Sequence, residues 1–380
     1  MTSNLDNAGL RRRLDSTPGV DRLRAAMAAA GVEAYLVGGA VRDLLLGRER
    51  VDLDVVVDGD HAAFVDALGG EARARERFGT ATVAVDDRQV DVAAARSETY
   101  PRPGALPEVS PGDLRDDLAR RDFSVNAIAL PLDGGEVIDP HQGVADLGAR
   151  LLRALGERSF VDDPTRALRA ARYSSRLGFE VEPGTLELIR SADLMTVSAE
   201  RVEAELRRLA GEPDPVAGLR LLVDWGLAAA DVELGAKALA VLDSPPWSDV
   251  AMRADVLLGA CGVTAGRFRA VTPIQAARKL AAVLPERPSV CVREARGHSG
   301  VELVLARALG AKWLDDYVGG WRDVRLEISG DDLLAAGVRE GPAIGRGLQV
   351  ALAAKLDGEV HGREEELRVA LAAAEATHGP

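Results

Sequence analysis

The chain has 380 residues, of which 47% are hydrophobic and 28% are charged, as expected of a globular protein. Its length allows two or more domains with sizeable cores, and no uninterrupted apolar run approaches a membrane span. The net charge of −13 excludes a surface that is basic throughout, so any nucleic acid would need a local basic patch.

Two stretches could supply that patch. Residues 150–176 hold seven arginines against three acidic residues, and residues 267–296 hold seven basic residues against two acidic ones.

The two cysteines indicate the cell compartment of the protein. Cys261 and Cys291 lie far apart without a C-x-x-C partner, which predicts free thiols rather than a disulfide or a zinc site. The N-terminal residues are polar and lack an apolar targeting segment, so we expect a cytoplasmic protein.

The most informative stretch runs from Tyr35 to Asp58 and predicts a strand, a Gly-Gly turn, a short helix and a second strand. In an extended chain alternate side chains leave the same face, so Asp52 and Asp54 should point together. Two converging carboxylates are costly without a cation between them, and oxygen ligands favour Mg²⁺ or Mn²⁺ over zinc. The alternative is a solvated strand end that binds no metal.

The glycines of the same stretch predict a phosphate site. Gly38 and Gly39 let the backbone turn tightly and approach a ligand, and their amides together with Arg42 can hold a triphosphate. A plain turn would carry the same glycines. Metal and phosphate sites at this spacing together indicate nucleotidyl transfer.

Further along, residues 61–68 predict a helix, and residues 80–85 and 89–93 predict two strands. Asp91 lies on the second of these strands and is a candidate third metal ligand. An edge-strand charge facing water fits the pattern equally well.

Residues 100–117 are rich in proline and glycine and predict a mobile loop near the site. Shortly after this loop come three polar residues whose side chains suit the binding of a nucleotide. Arg121 can meet a phosphate, Asp122 can hold a ribose hydroxyl or fix that arginine, and Asn126 can bond to sugar or backbone. A surface salt-bridge cluster is the competing interpretation.

A helix should begin near Pro164, capped by Asp162 or Asp163. Three arginines recur at every third position and are expected along one side of it: Arg166, Arg169 and Arg172. Cytosine and adenine both present an amino donor beside a ring-nitrogen acceptor, whereas uracil and guanine present a carbonyl instead. Asp163 with Arg166 can therefore select CTP and ATP. The alternative is an amphipathic helix with a solvated arginine stripe.

These stretches together resemble one family. Residues 36–43 followed by Asp52-x-Asp54 resemble the opening motif of the bacterial tRNA nucleotidyltransferase and poly(A) polymerase family, which includes the class II CCA-adding enzymes. Residues 120–127 resemble its R-R-D-F-T-x-N-A motif, with Ser124 in place of threonine, and residues 162–166 resemble E-D-x-x-R, with Asp162 in place of glutamate. Residues 200–206 resemble its E-R-x-x-x-E-L segment, where Glu200, Arg201 and Glu205 are expected to be structural and to brace the neck against the base-reading helix.

The resemblance implies an α/β nucleotidyltransferase head on a small mixed β-sheet, followed by an all-α neck, body and tail. The expected boundaries are residues 1–148 for the head, 149–212 for the neck, 213–300 for the body and 301–380 for a tRNA-binding tail. The family's optional phosphohydrolase domain carries a His-Asp pair, and this sequence contains no such dipeptide.

The implied function is template-independent addition of C, C and A from CTP and ATP to the 3′ end of tRNA, with release of pyrophosphate. Asp52, Asp54 and Arg121 would be the catalytic residues, with Mg²⁺ or Mn²⁺ as cofactor. Three alternatives stay open: a relative that adds only CC, only A or poly(A), a small-molecule nucleotidyltransferase, and an RNA-binding protein with an inactive head. The helical C-terminal half argues against the second, and the intact carboxylates and Arg121 argue against the third.

Overall fold

The computed structural model of the protein describes residues 7–48, 52–69, 72–75, 79–86 and 88–376. The chain forms two compact units. Residues 1–228 and 265–268 make the first, and residues 229–264 and 269–380 make the second. The four-part division into head, neck, body and tail stays a prediction.

The first unit contains the helices of the predicted head and neck and the first helix of the predicted body. Their bounds are α1 Asn7–Asp15, α2 Val20–Ala30, α3 Gly39–Leu45, α4 His61–Leu68, α5 Leu114–Ala119, α6 Gly143–Ala149, α7 Ser159–Asp162, α8 Thr165–Leu177, α9 Pro183–Arg190, α10 Ala199–Ala210 and α11 Pro215–Asp224. Short 3₁₀ turns lie at Ser124–Asn126 and Leu194–Thr196.

The head strands are β1 Glu33–Val37, β2 Leu53–Asp58, β3 Ala72–Arg75, β4 Thr80–Val85, β5 Arg88–Ala94, β6 Arg96–Thr99, β7 Glu108–Pro111 and β8 Ala129–Pro131. Six of them form one sheet in the order β3-β4-β5-β2-β1-β8. Only the β2–β5 pair among the described strands of this sheet is parallel, so the predicted small mixed sheet is confirmed. Residues 49–51 of the predicted strand–turn–helix–strand stretch lie outside the described residues.

Alternation along the strands gives the sheet two different faces. One face is a closed apolar core covered by α1 to α4, and β2 contributes Leu53, Val55 and Val57 to it. The residues between them, Asp54 and Val56, therefore project from the other face. Val56 packs there against Leu118 of α5. The acidic residues of β2 thus emerge on the face that the helices of the main core leave open.

The predicted loop at residues 100–117 is partly wrong. Residues 108–111 form β7, which pairs antiparallel with β6, and α5 begins at Leu114. Only four residues of β7 are paired, and they are mostly exposed, so no alternating apolar pattern indicated the strand. Asp58 Oδ2 accepts a hydrogen bond from the Leu114 amide, which attaches the start of α5 to the end of β2.

The neck is helical as expected, but it also contains a small parallel pair that the sequence pattern did not indicate: β9 Leu151–Leu152 and β10 Glu180–Val181. Two further short strands follow at β11 Thr264–Ala265 and β12 Phe268–Arg269. None of the helices in the described ranges combines the length and the apolar character of a bilayer-spanning segment.

The second unit consists mainly of helices: α12 Val232–Leu242, α13 Arg253–Cys261, α14 Ile274–Ala281, α15 Pro288–Ala295, α16 Gly300–Ala308, α17 Leu314–Gly319, α18 Gly330–Ala335, α19 Pro342–Leu356 and α20 Gly362–Glu375. A 3₁₀ turn lies at Trp321–Asp323. Its last three helices enclose an apolar cluster around Leu333, Ala351 and Ala370.

A buried ion pair also connects α19 and α20. The Glu366 side chain is fully buried, accepts a hydrogen bond from Lys355 Nζ at 2.6 Å and accepts another from the Glu327 amide at 2.7 Å. Burial alone would raise the pKa of Glu366, but the Lys355 and Glu327 bonds outweigh it and hold that pKa below its ordinary value.

We expect Glu366→Gln to lower the free energy of unfolding by about 2 kcal/mol at pH 7, because it removes the buried partner of Lys355 and leaves only Glu327, at 3.6 Å. A carboxyl group with a depressed pKa stabilises the fold above its unfolded pKa of ~4.3, and that contribution disappears as the pH falls through the folded value. The loss on substitution should therefore shrink on acidification. Urea denaturation at pH 7 and at about pH 3.5 measures both effects.

The matched control is Glu364→Gln, because Glu364 is exposed and lies on the same helix. Equal stabilities of the two variants at pH 7 would contradict the assigned role of Glu366.

Candidate active site

The turn between β1 and α3 places the first predicted motif. Gly38 has φ 62°, which favours glycine, and a Cβ atom there would lie 2.5 Å from Nη1 of Arg121. Glycine is thus required at position 38 both by the backbone and by the close approach of that guanidinium. The two predicted motifs meet at this point although more than eighty residues separate them.

Asp52 and Asp54 line one cleft of 420 Å³, together with Gly38, Gly39 and Arg42. Burial is the main cause that raises the pKa of Asp54 to about 6, with Asp91 and Asp52 adding repulsion. Arg121 and Arg42 oppose the rise without cancelling it. The raised pKa shows that negative charge at this position is incompletely compensated.

The donor set suits a hard cation, since the cleft presents carboxylate oxygens from Asp52 and Asp54. Within the described ranges, no three His, Cys, Asp or Glu side chains are grouped closely enough to hold a metal ion together. The carboxylate pair therefore fits a divalent cation that completes its coordination with oxygens from substrate or water.

Asp91 lies directly opposite Asp54 in the parallel β2–β5 pair. Its Oδ1 accepts a hydrogen bond of 2.6 Å from Thr82 Oγ1. It lines a neighbouring cavity with Asp54 rather than the cleft that Asp52 lines. The structure therefore brings Asp91 close to one of the two predicted ligands, and its role as a third ligand stays a prediction.

Asp117 anchors the arginines of the second motif. Its side chain is fully buried, with Oδ2 accepting from Arg121 Nη2 at 2.7 Å and Oδ1 accepting from Arg120 Nε at 3.0 Å. Arg121 Nη1 also donates to the Asn126 carbonyl at 3.3 Å. These contacts fix the Arg121 guanidinium beside Gly38 at the edge of the cleft.

Four predicted site residues form one hydrogen-bonded chain, in which Arg42, Asn126 and Asp122 are buried and Arg169 is half-buried. Arg42 Nη1 donates to Asn126 Oδ1 at 2.6 Å, Asn126 Nδ2 donates to Asp122 Oδ1 at 2.9 Å, and Arg169 Nε donates to Asp122 Oδ2 at 2.8 Å. Burial would raise the pKa of Asp122, but Arg169 and the Asn126 bond outweigh it and hold that pKa at about 2. Asp122 is thus ionised at neutral pH and holds the arginines of two motifs in place.

The predicted base-reading residues Asp163 and Arg166 both line the cleft. Asp163 Oδ1 accepts bonds from the Thr165 amide at 3.0 Å and from Arg201 Nη2 at 2.9 Å. Arg166 donates to the Arg120 carbonyl at 2.6 Å and to Ser159 Oγ at 2.8 Å. Both side chains are therefore held in place by the protein, and Arg201 has the bracing contact that the sequence predicts for it.

Arg172 does not share this position. Its guanidinium lies within 3.6 Å of Glu205 and 3.3 Å of Glu212, and it is absent from the described lining of the cleft. At 3.6 residues per turn, six positions from Arg166 rotate a side chain by about 120° around the helix. The row of arginines turns around the helix, so Arg166 and Arg169 face the cleft and Arg172 pairs with Glu205 and Glu212. Asp162, which stands where the family motif has glutamate, forms a salt bridge with Arg158, whose Nη2 lies 2.8 Å from Asp162 Oδ1.

Tyr173 and Asp117 carried no sequence prediction. Tyr173 lines the cleft, with the Arg172 guanidinium carbon 4.7 Å and that of Arg42 5.7 Å from its ring centroid. Asp117 is the buried anchor described above. The spacing of Asp117 to Arg120 and Arg121, three and four residues along a helix, is a signal that could have identified it.

Two parts of the chain match known protein families, and the whole fold matches a solved structure. Residues 34–153 match the family described as "Poly A polymerase head domain", and residues 178–230 match "Probable RNA and SrmB- binding site of polymerase A". A solved structure, the Thermotoga maritima CCA-adding enzyme complexed with tRNA_CCA, has a TM-score of 0.74 at 26% identity and covers 96% of this chain and 98% of that one.

Two curated relatives differ in the length that they share. The A-adding tRNA nucleotidyltransferase of Halalkalibacterium halodurans is 43% identical over 204 residues, which are 50% of this chain and 48% of that protein, so the match spans about half of its length. The CC-adding tRNA nucleotidyltransferase of Deinococcus radiodurans is 36% identical over 367 residues, which are 91% of this chain and 90% of that protein.

Nucleotidyltransferases of this kind generally depend on a divalent metal. The match to the Deinococcus protein extends over nearly the whole of both chains, and it includes the head whose cleft holds the paired carboxylates. The chain belongs to the tRNA nucleotidyltransferase and poly(A) polymerase family.

Proposed function

We propose that the protein adds CMP and AMP residues from CTP and ATP to the 3′ end of tRNA, completing or repairing the CCA terminus, and releases pyrophosphate. The observation that carries this proposal is one cleft in which Asp52 and Asp54 share a lining with Asp163 and Arg166. A carboxylate pair for phosphoryl chemistry thus stands beside a pair suited to base recognition. The names of the relatives agree with a tRNA end as acceptor.

The carboxylates would hold the cofactor. Asp52 and Asp54 offer only oxygen ligands, which favours Mg²⁺, with Mn²⁺ as its close substitute. Such a cation, when bound, lowers the pKa of the attacking 3′-hydroxyl and offsets charge at the α-phosphorus and on the leaving pyrophosphate.

The chain's own residues orient the nucleotide. Arg121 is fixed by Asp117 beside the Gly38–Gly39 turn, where its remaining donor capacity can meet phosphate oxygens. Arg42 lies at the same turn but is only 3% exposed and already bonded to Asn126. Arg121 therefore supplies the more accessible positive charge, and Arg42 mainly positions the turn.

Base selection would rest on the free edge of Asp163. Thr165 and Arg201 donate to Oδ1, and no described residue donates to Oδ2. Oδ2 can accept from the amino group of cytosine or adenine, while Arg166 can donate to the ring nitrogen. A uracil or guanine carbonyl would face a carboxylate oxygen and be rejected.

A second candidate is addition of CC alone, because the relative that matches over nearly the full chain carries that name. The cytoplasm is the proposed location, where tRNA ends are processed. Cys261 and Cys291 are both free and buried, which agrees with a reducing compartment.

The function is tested by supplying tRNAs that end before the tail, at C and at CC, with labelled CTP and ATP separately and together. Ordered addition of both nucleotides is expected in the presence of Mg²⁺. Addition that stops after CC would support the second candidate, and no addition to any tRNA would contradict both. Asp54→Asn is the matched control and should reduce transfer about a thousandfold, since it removes one carboxylate from the cation site.

Asp163→Asn should weaken the preference of the protein for CTP over UTP. The amide oxygen is expected to replace Oδ1 opposite Arg201 and Thr165, because both donate to it, which turns the amide NH₂ toward the cleft. Discrimination against UTP, measured as the ratio of kcat/KM values for CTP and UTP, should fall at least about tenfold. Unchanged discrimination with normal CTP use would show that Asp163 does not read the base.

A further inference from the structure

A second cavity opens beside the nucleotide cleft, on the same face of the head sheet. Its volume is 360 Å³, within the range of small-ligand sites. Asp54, Arg120 and Arg121 line both cavities, whereas Asp52 lines only the cleft and Asp91 only the second cavity. The two spaces therefore meet at these three side chains, and Asp54 is the carboxylate that they share.

The strand register builds the wall of the second cavity. Thr82 pairs with Asp91 across β4 and β5, and Asp91 pairs with Asp54 across β5 and β2. Neighbouring strands are ~4.8 Å apart, so these three side chains form one row across the same face. Thr80 lies two residues from Thr82 and joins that lining. Buried Ala81 and Val83 on the opposite face fix the register.

The chemistry of this wall favours a ligand with hydroxyl groups. Thr82 Oγ1 donates to Asp91 Oδ1, which leaves Asp91 Oδ2 as an acceptor. In the described part of the chain, neither Asp91 nor Asp54 has a salt bridge. Arg120 and Arg121 also line the cavity, and both donate hydrogen bonds to Asp117. The carboxylates of Asp91 and Asp54 line this cavity and attract O–H donors.

We propose that this cavity binds the 3′-terminal ribose of the acceptor RNA, and that Asp91, oriented by Thr82, accepts a hydrogen bond from its 2′-hydroxyl group. The inference rests on the proposed function, because it places the second substrate of the same reaction. The terminal sugar then lies beside Asp54, and the nucleotide occupies the cleft on the other side of that carboxylate. The 2′-hydroxyl distinguishes RNA from DNA, so Asp91 contributes to the choice of an RNA end.

The test is a double-mutant cycle between Asp91 and the acceptor's terminal hydroxyl. Two tRNAs are compared that end in C and in 2′-deoxyC, and kcat/KM for the next addition is measured for wild type, Asp91→Ala and Thr82→Val. Wild type should prefer the ribose end by about tenfold or more. Asp91→Ala should abolish most of that preference by slowing only the ribose-ended tRNA, and Thr82→Val should reduce it partially.

Two further variants separate this role from a structural one. Asp91→Asn keeps an acceptor oxygen and should restore part of the preference. Gln89→Ala is the matched control, because Gln89 is exposed, lies on the same strand and face, and is outside the cavity lining. It should leave the preference at the wild-type value, and a loss in this variant would overturn the assignment to Asp91.

A uniform effect would also overturn the proposal. If Asp91→Ala slows both tRNAs by the same factor, Asp91 acts through the cation or the fold, as the third-ligand prediction has it. Competition binding of the same two tRNAs to wild type and Asp91→Ala needs no turnover. It measures the coupling between Asp91 and the 2′-hydroxyl independently. Coupling in binding without any transfer would reject the proposed function and keep the subsite. Transfer without coupling in either measurement would reject the subsite and keep the function.

Discussion

The site depends on the fixed position of one guanidinium group. Arg121 lies against Gly38, where any Cβ atom would collide with it, and buried Asp117 holds it there. This contact joins the turn after β1 to the segment after α5, so that two motifs far apart in sequence share one cleft. A positive charge held by a buried carboxylate stays in place when substrate binds, which is the preorganisation that charge-stabilising sites need.

The two faces of the sheet differ, one apolar and one partly polar, which explains why the predicted catalytic residues lie on one face only. Valines and leucines of β2, β4 and β5 enter the core beneath α1 to α4, so the residues between them must emerge opposite. They include Asp54, Asp91 and Thr82. The apolar core that stabilises the head also fixes the register of the polar row, and a slip by one residue would bury the carboxylates.

Local patterns predicted the parts that depend on local geometry. Alternation placed Asp52 and Asp54 together, and the mixed sheet followed from the family resemblance. Three features depend on long-range pairing or helix phase. The parallel β2–β5 contact sets Asp91 beside Asp54, and spacing along the chain does not reveal strand order. Arg172 rotates away because a three-residue repeat drifts on an α-helix. The sequence did not predict strand β7, because the surrounding prolines and glycines indicated a loop.

The most direct test of the central claim is a crystal structure with Mn²⁺ and CTP, examined for anomalous scattering. The account predicts a peak bound by oxygens of both Asp52 and Asp54, with phosphate oxygens of CTP completing its coordination and the cytosine facing Asp163. CTP bound in the cleft with the two carboxylates turned apart and no peak between them would contradict it.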